Sequence, residues 1–175
     1  MPACAGMTEK RAALTTIESK IRTARELFGT YADVWLLDSR IRALVGELRT
    51  QLDASRRAMS EAGIPTLCVR CETEEGGSCC GAGIEDRYGV PLLAVNQLLG
   101  CTLPDRRTGE ENCYFLGAQG CRLAARHVLC VNYLCRKIQR RLPREALVRV
   151  QNVTGAELET AFRLEETLRQ SMRPA

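Results

Sequence analysis

The chain has 175 residues, of which 45% are hydrophobic and 26% charged, and its net charge at pH 7 is +4. This is the composition of a globular protein, and it excludes a disordered or fibrous one. The length suits one domain of ordinary size, or a small domain with a helical attachment. Because roughly two thirds of the unfolded chain's surface can be buried at this length, a core can form without disulfides. The ten cysteines therefore need another explanation.

The first residues predict a cytoplasmic protein. Met1 to Leu14 lack the apolar segment of an export signal. No later stretch reaches the roughly 18 apolar residues of a membrane span, so we expect no membrane contact. In a reducing compartment thiols stay reduced, and clustered cysteines then favour metal binding or redox chemistry over a disulfide framework.

Residues 1–63 predict an antiparallel hairpin of two helices. Gly29 is expected to end the first helix, and Thr30 to cap a second that ends near Gly63. We expect the inner faces to pack on each other or on the rest of the fold. The hairpin could then bind an unknown protein partner or mediate self-association. Its apolar positions step by three and four residues, at Leu14, Ile17, Ile21, Ala24, Phe28, and at Val34, Leu37, Ile41, Leu44, Leu48, Leu52.

Residues 143–175 predict a C-terminal helix that packs on the hairpin. Thr154-Gly-Ala-Glu157 matches a capping box, and an apolar side follows it at Leu158, Ala161, Leu168 and Met172. The expected fold class is thus mainly α, with the hairpin and this helix packed on an irregular module.

Residues 64–142 predict that module, which is rich in cysteine. Short helices are expected at Pro91 to Gly100 and around Leu123 to Arg141, with loops elsewhere. Acidic pairs such as Glu85-Asp86 are expected to be solvated turns. Nine of the ten cysteines fall between residues 64 and 135.

The cysteine spacing predicts metal ligation. Cys68 and Cys71 have the shortest spacer that lets two thiolates face one metal through a tight turn. The adjacent Cys79 and Cys80 lie among glycines, which let backbone amides approach sulfur. A second group follows at Cys113, Cys121, Cys130 and Cys135. For each of these residues the alternative is a small buried hydrophobe.

The same spacing leaves the number of sites open. Cys79 and Cys80 point to opposite sides of an extended chain, and Cys130 and Cys135 would lie about 140° apart on a continuous helix. Two four-sulfur sites, or one cluster with thiols to spare, would satisfy both constraints. Cys4, in a frayed terminus, and Cys101, without a close partner, are expected not to be ligands.

The cysteine pattern resembles a known family. Cys68-x2-Cys71-x7-Cys79-Cys80, followed by Cys113-Tyr-Phe-Leu, Gly120-Cys121-Arg-Leu and Arg126-His127-Val-Leu-Cys130, is similar to the bacterial YkgJ-type cysteine-cluster family of zinc- or iron-chelating domain proteins. Flagellin lysine N-methylase carries a related domain and is associated with an iron–sulfur cluster. The resemblance covers roughly residues 66–136. It implies a bacterial protein with ligation by Cys68, Cys71, Cys79, Cys80, Cys113, Cys121, Cys130 and Cys135.

Two features depart from that family. The spacer before Cys79 is longer than the usual short one, and Arg126-His127 stands where Arg-Pro is common. The departure places the only histidine beside the cysteines. His127 is then a candidate ligand or proton donor, although a lone histidine is more often a partly exposed polar residue.

A basic segment follows the cysteines, with eight basic and one acidic side chain in residues 122–149. It could be a nucleic-acid or anion patch, compensation for negative thiolates, or a solvated helix face. Nucleic acid is disfavoured because Tyr133 is the one aromatic residue among the charges. The basic residues are Arg122, Arg126, Arg136, Lys137, Arg140, Arg141, Arg144 and Arg149.

The functional prediction is a metal-binding cysteine-cluster protein. Four thiolates suit zinc and iron–sulfur clusters alike, and the family resemblance favours iron, possibly a 4Fe-4S cluster. Iron would give an electron-transfer or accessory role, and zinc a scaffolding role. The alternatives are a thiol–disulfide redox protein using Cys68 and Cys71, and a zinc-dependent nucleic-acid-binding module using residues 122–149. No motif predicts a catalytic residue.

Overall fold

The computed structural model describes residues 16–75 and 79–172, and it is mainly helical, as expected. A short 3-10 helix, Ile84–Arg87, and a small antiparallel hairpin of β1 (Leu116–Gly117) and β2 (Gly120–Cys121) complete it. The helices are α1 (Ile17–Leu37), α2 (Ser39–Glu61), α3 (Ile64–Glu74), α4 (Val90–Leu98), α5 (Val128–Asn132), α6 (Arg136–Arg141) and α7 (Arg144–Ser171).

The break between the first two helices lies at Asp38, so the predicted break at Gly29 is wrong. α1 continues through Gly29, because one glycine in a helix costs only about 1 kcal/mol. Asp38 takes extended backbone angles, and its carboxylate accepts hydrogen bonds from the N–H groups of Arg40 and Ile41. This cap starts α2 and does what was expected of Thr30. Leu37 therefore belongs to α1, where it is exposed.

The C-terminal helix α7 lies antiparallel along α2. At one end Arg149 pairs with Glu61 at 2.6 Å. Further along, the Thr160 hydroxyl donates to the Glu47 carboxylate at 3.0 Å. In the structure α7 packs on α2, whereas α1 packs mainly on α4. Of the two arrangements expected for the inner faces, packing on the rest of the fold therefore exceeds packing of α1 on α2.

The predicted helix start at Thr154 is wrong, because α7 begins ten residues earlier, after Pro143. Thr154 lies inside the helix, where its hydroxyl donates to the carbonyl of Val150 at 2.9 Å. A threonine that bonds back to the preceding turn can sit within a helix instead of capping one. Glu157, the other end of the expected capping box, is buried.

Two apolar clusters hold these elements together. The larger one fills the space between α1, α2, α4, α7 and the loops up to residue 125, around Trp35, Leu93 and Phe115. The smaller one joins the end of α2 to α3, α5, α6 and the start of α7, around Met59 and Val131. Cys80, Cys113 and Cys130 lie in or against the larger cluster, and Cys135 packs against the smaller one.

Glu157 predicts a pH-dependent stability. Burial of this carboxyl, which is 2% exposed, raises its pKa, although a hydrogen bond from Ser55 acts in the opposite direction. The folded state thus holds the proton more tightly than the unfolded state, so stability falls as pH rises from the ordinary pKa towards the raised one. Glu157→Gln should remove this loss of stability. At pH 8 the variant should unfold at a higher urea concentration than the unmodified protein, and near pH 4 the two should unfold at the same concentration. Exposed Glu159→Gln is the matched control, and an equal gain at both pH values would contradict the assignment.

None of the helices in the two described stretches is long and apolar enough to cross a membrane.

Candidate metal centre

Cys68 and Cys71 lie on one face of α3. The predicted tight turn at this pair is wrong: residues 64–74 form a helix that begins after Gly63, whose φ is +69°, and has Pro65 in its first turn. Residues three apart on a helix are neighbours, so the two thiols still point the same way. Ile64 anchors α3 in the smaller apolar cluster.

The backbone brings Cys80 to Cys113. The N–H of Cys113 donates to the carbonyl of Cys80 at 2.6 Å, and the N–H of Ala82 donates to the carbonyl of Glu111 at 2.9 Å. These bonds flank an isolated antiparallel bridge between Gly81 and Asn112. Two segments more than thirty residues apart in sequence are thereby fixed side by side.

The β1–β2 hairpin turns the chain so that Cys121 comes back towards Cys113. Cys121 pairs with Leu116 across the hairpin, and Gly120, with φ of +98°, pairs with Gly117 directly after the turn at residues 118–119. The N–H of Leu116 donates to the carbonyl of Cys113 at 2.9 Å. Cys113 is buried, and Cys121 is exposed.

The predicted helix around residues 123–141 is interrupted between Cys130 and Cys135. α5 ends at Asn132 and α6 begins at Arg136, with Cys135 as its capping residue. The two thiols are thus freed from the 140° separation of a continuous helix. Cys130 packs against the larger apolar cluster and Cys135 against the smaller one.

The single histidine caps α5. His127 Nδ1 accepts a hydrogen bond from the N–H of Leu129 at 3.2 Å. Burial lowers the pKa of His127, and the charge of Arg87 lowers it further, which favours the neutral form that an accepting nitrogen requires. This capping role is one that the sequence did not predict.

Thiols from three segments act on one another around Cys68. Burial raises the pKa of Cys68, and three neighbouring thiolates raise it further, those of Cys79, Cys135 and Cys71. These four thiols belong to α3, to the start of α6 and to the segment after residue 78, which we call the Cys68 neighbourhood. The Lys137 ammonium of α6 lies 3.4 Å from the Cys71 sulfur of α3, so these two helices are adjacent there.

A second set of thiols interacts around Cys113. Burial raises the pKa of Cys113 to about 11, and the thiolates of Cys121 and Cys130 raise it as well. The pKa of Cys80 is raised by its hydrogen bond with Cys79, by burial and by the thiolates of Cys79, Cys121 and Cys113. Cys79 also raises the pKa of Cys130, so it belongs to both neighbourhoods.

Cys79 is the most acidic thiol of the group. The hydrogen bond from Cys80 lowers its pKa to about 6, against the opposing effect of burial. The residue is exposed. A lowered pKa favours the thiolate form at neutral pH, and exposure makes this sulfur accessible to metals or oxidants.

Two basic side chains of the 122–149 segment act on the cysteines, Arg126 through its charge and Lys137 by direct contact. Arg126 lowers the pKa values of Cys79, Cys121 and Cys130 through its charge, although burial raises the last two overall. The Lys137 ammonium lies 3.4 Å from the Cys71 sulfur and pairs with Glu75. These contacts fit the compensation interpretation of the basic segment.

A buried ion pair that the sequence did not predict supports the Cys80 and Cys113 segments. Glu85, expected in a solvated turn, is 1% exposed and pairs with Arg107. Its other oxygen accepts from the N–H of Gly83 at 2.9 Å, and Arg107 also donates to the carbonyl of Asn112 at 2.6 Å. The pair thus connects the loop after Cys80 to the residue before Cys113.

A buried side-chain amide fixes the segment that carries Cys130. Asn96 is fully buried in α4 and donates to the carbonyl of Ala125 at 2.9 Å, while its oxygen accepts from the N–H of Ala125 at 3.0 Å. It holds the chain that leads to His127 and Cys130. An asparagine in the apolar segment Val90 to Leu99 was the one sequence signal of this role.

The thiols are close but are not arranged as a finished site. Within residues 16–75 and 79–172 no group of three or more His, Cys, Asp or Glu side chains is placed so that it could hold a metal ion, and no disulfide joins cysteines there. Cys101, expected not to be a ligand, is half-buried. Cys4 and residues 76–78 lie outside the described residues.

No protein-family model, curated protein or solved structure matches the chain. The resemblance to YkgJ-type proteins therefore depends on the cysteine spacing and the residues beside the cysteines.

Proposed function

We propose that this protein binds metal through the thiolates of eight cysteines, as an iron–sulfur cluster or as zinc. One observation carries the proposal: backbone hydrogen bonds and the β1–β2 hairpin bring the segments of Cys80, Cys113 and Cys121 together, although they are far apart in sequence. Thiolates are the ligands that zinc and iron–sulfur clusters share. The ligands would be Cys68, Cys71, Cys79, Cys80, Cys113, Cys121, Cys130 and Cys135.

The electrostatics of the region support this proposal. Burial raises the pKa of Cys68, and the hydrogen bond with Cys79 raises that of Cys80; in both cases neighbouring thiolates raise the pKa further. A metal ion removes this penalty by deprotonating its ligands and neutralising their charge. The remaining negative charge of a four-thiolate site would lie beside Arg126 and Lys137.

Metal binding on this account draws the side chains together. The backbone contacts at Cys80, Cys113 and Cys121 support one set of ligands, and the contact between α3 and α6 at Cys71 supports the other. An iron–sulfur cluster would supply electron transfer to a partner, whereas zinc would supply folding energy alone.

The test is anaerobic purification followed by elemental analysis, sulfide analysis and a visible spectrum. Brown protein with iron and acid-labile sulfide would select the cluster and an electron-transfer or accessory role. Colourless protein with stoichiometric zinc would select the scaffolding role. Protein that holds neither metal, and takes up neither after reduction, would contradict the proposal.

Thiol–disulfide chemistry is a second candidate, favoured by Cys79. The sequence suggested Cys68 and Cys71 for this chemistry, but burial and neighbouring thiolates raise the pKa of Cys68. Cys79, with a pKa of about 6, is the better nucleophile. In reduced, metal-free protein, iodoacetamide at pH 6.5 should label Cys79 first. A redox enzyme would in addition reduce insulin disulfides, and the metal-binding proposal expects no such activity.

Exposed apolar side chains at the end of α1 are the best support for a protein partner or self-association. Val34, Leu36 and Leu37 are 59%, 50% and 78% exposed. Such a group is a feature of interaction surfaces. We therefore retain the proposal that the N-terminal helices dock a partner or a second copy.

A further inference from the structure

Tyr88 is buried beside the cysteine Cys130. It is 1% exposed and follows the 3-10 helix that begins with Ile84 and contains Glu85. Its ring lies 4.8 Å from that of Phe115 and 5.7 Å from that of His127, measured between centroids. The packing leaves the phenol little freedom, so the position of its hydroxyl is set by the core.

The Tyr88 hydroxyl makes two polar contacts. It accepts a hydrogen bond from the N–H of His127 at 3.1 Å, and it lies 3.7 Å from the sulfur of Cys130. A hydroxyl has one proton to donate, and an N–H cannot accept it. The proton of Tyr88 is therefore directed at sulfur.

The same hydroxyl fastens both ends of the turn that carries the thiol. The N–H of Cys130 donates to the carbonyl of His127 at 2.8 Å, which closes the turn. The Tyr88 hydroxyl contacts the N–H of His127, the first residue of the turn, and the sulfur of Cys130, the last residue. Removing the hydroxyl releases both contacts while leaving the ring in place.

We infer that Tyr88 is a positioning residue for the metal centre, which acts by donating a hydrogen bond to the sulfur of Cys130. This inference rests on the proposed function. A hydrogen bond to a ligand sulfur withdraws electron density from it, and it also fixes the ligand's orientation. For an iron–sulfur cluster the same bond makes the reduction potential more positive.

The test is Co²⁺ titration of the reduced full-length protein, with Tyr88→Phe compared with Tyr133→Phe. Tyr133 is 62% exposed and three residues from Cys130, so it is a matched control. Tyr88→Phe should bind Co²⁺ about 10-fold more weakly or worse, the usual effect of losing an outer-shell partner. Its sulfur-to-cobalt absorption band should move to longer wavelength, because a thiolate without a hydrogen bond gives up electrons more easily. Tyr133→Phe should change neither property.

Three results decide between the proposals. Equal affinity and an unmoved band in Tyr88→Phe would overturn the role of Tyr88 and leave metal binding intact. No uptake of Co²⁺ by the unmodified protein would overturn both. If Tyr88→Phe does not fold, the second experiment incorporates 3-fluorotyrosine at position 88 of the otherwise unmodified chain. The fluorinated phenol is more acidic and is therefore a stronger hydrogen-bond donor to sulfur. The band should then move to shorter wavelength, and an unmoved band would refute the inference.

Discussion

Arg107→Ala should lower the free energy of unfolding by about 3 kcal/mol, because it leaves the Glu85 carboxylate buried without its partner. Because the Arg107 side chain is 28% exposed, we expect a loss of stability at the lower end of what breaking a buried ion pair costs. The variant also loses the bond to the carbonyl of Asn112, next to Cys113. Urea unfolding of the reduced, metal-free protein measures the loss independently of any metal.

Two comparisons separate this ion pair from general surface effects. Arg106→Ala removes an exposed neighbour and should change stability by less than about 0.5 kcal/mol. Arg107→Ala combined with Glu85→Gln should recover part of the loss, because the unpaired charge is then gone. A single variant as stable as Arg106→Ala would show that the pair does not support the Cys80 and Cys113 segments.

Cys71→Ser and Cys80→Ser should each lower bound metal and loosen the fold. The two residues come from different neighbourhoods. The fraction of bound metal that each substitution removes therefore also shows whether there is one metal site or two. Bound metal should fall by about half if the eight thiolates form two four-sulfur centres, and almost completely if they form one. Elemental analysis of anaerobically purified protein, together with thermal unfolding, makes the measurement.

Cys4→Ser is the control for these substitutions, since Cys4 is expected not to be a ligand. It should leave both metal content and unfolding temperature unchanged. Equal metal content in all three variants would refute the ligand assignment.

The spacing of apolar residues predicted most of the helical fold and missed the boundaries. It predicted the C-terminal helix and α4, because the order of apolar residues in those helices is a property of the local sequence. It placed the first break at Gly29 because glycine often ends helices, yet Asp38 holds the cap. A weak helix former such as Gly29 is tolerated inside a helix when the residues before and after it pack on the rest of the fold. The apolar residues of one helix do not show what that helix packs against.

The cysteine spacing identified the thiols but not their supporting residues. Tyr88 and Cys130 are 42 residues apart, Asn96 and Ala125 are 29 apart, and Glu85 and Arg107 are 22 apart. Each pair forms only when the fold brings two loops or a loop and a helix together. Nothing in the local sequence distinguishes the buried Glu85 from the exposed Asp86 beside it.

X-ray absorption at the metal edge of the purified protein tests most directly whether the protein binds its metal through sulfur. We predict about four sulfur neighbours per metal ion, near 2.3 Å for zinc, with no nitrogen or oxygen ligand in the first coordination sphere. A sphere of nitrogen and oxygen atoms, or one with fewer than about three sulfurs per metal, would contradict the account.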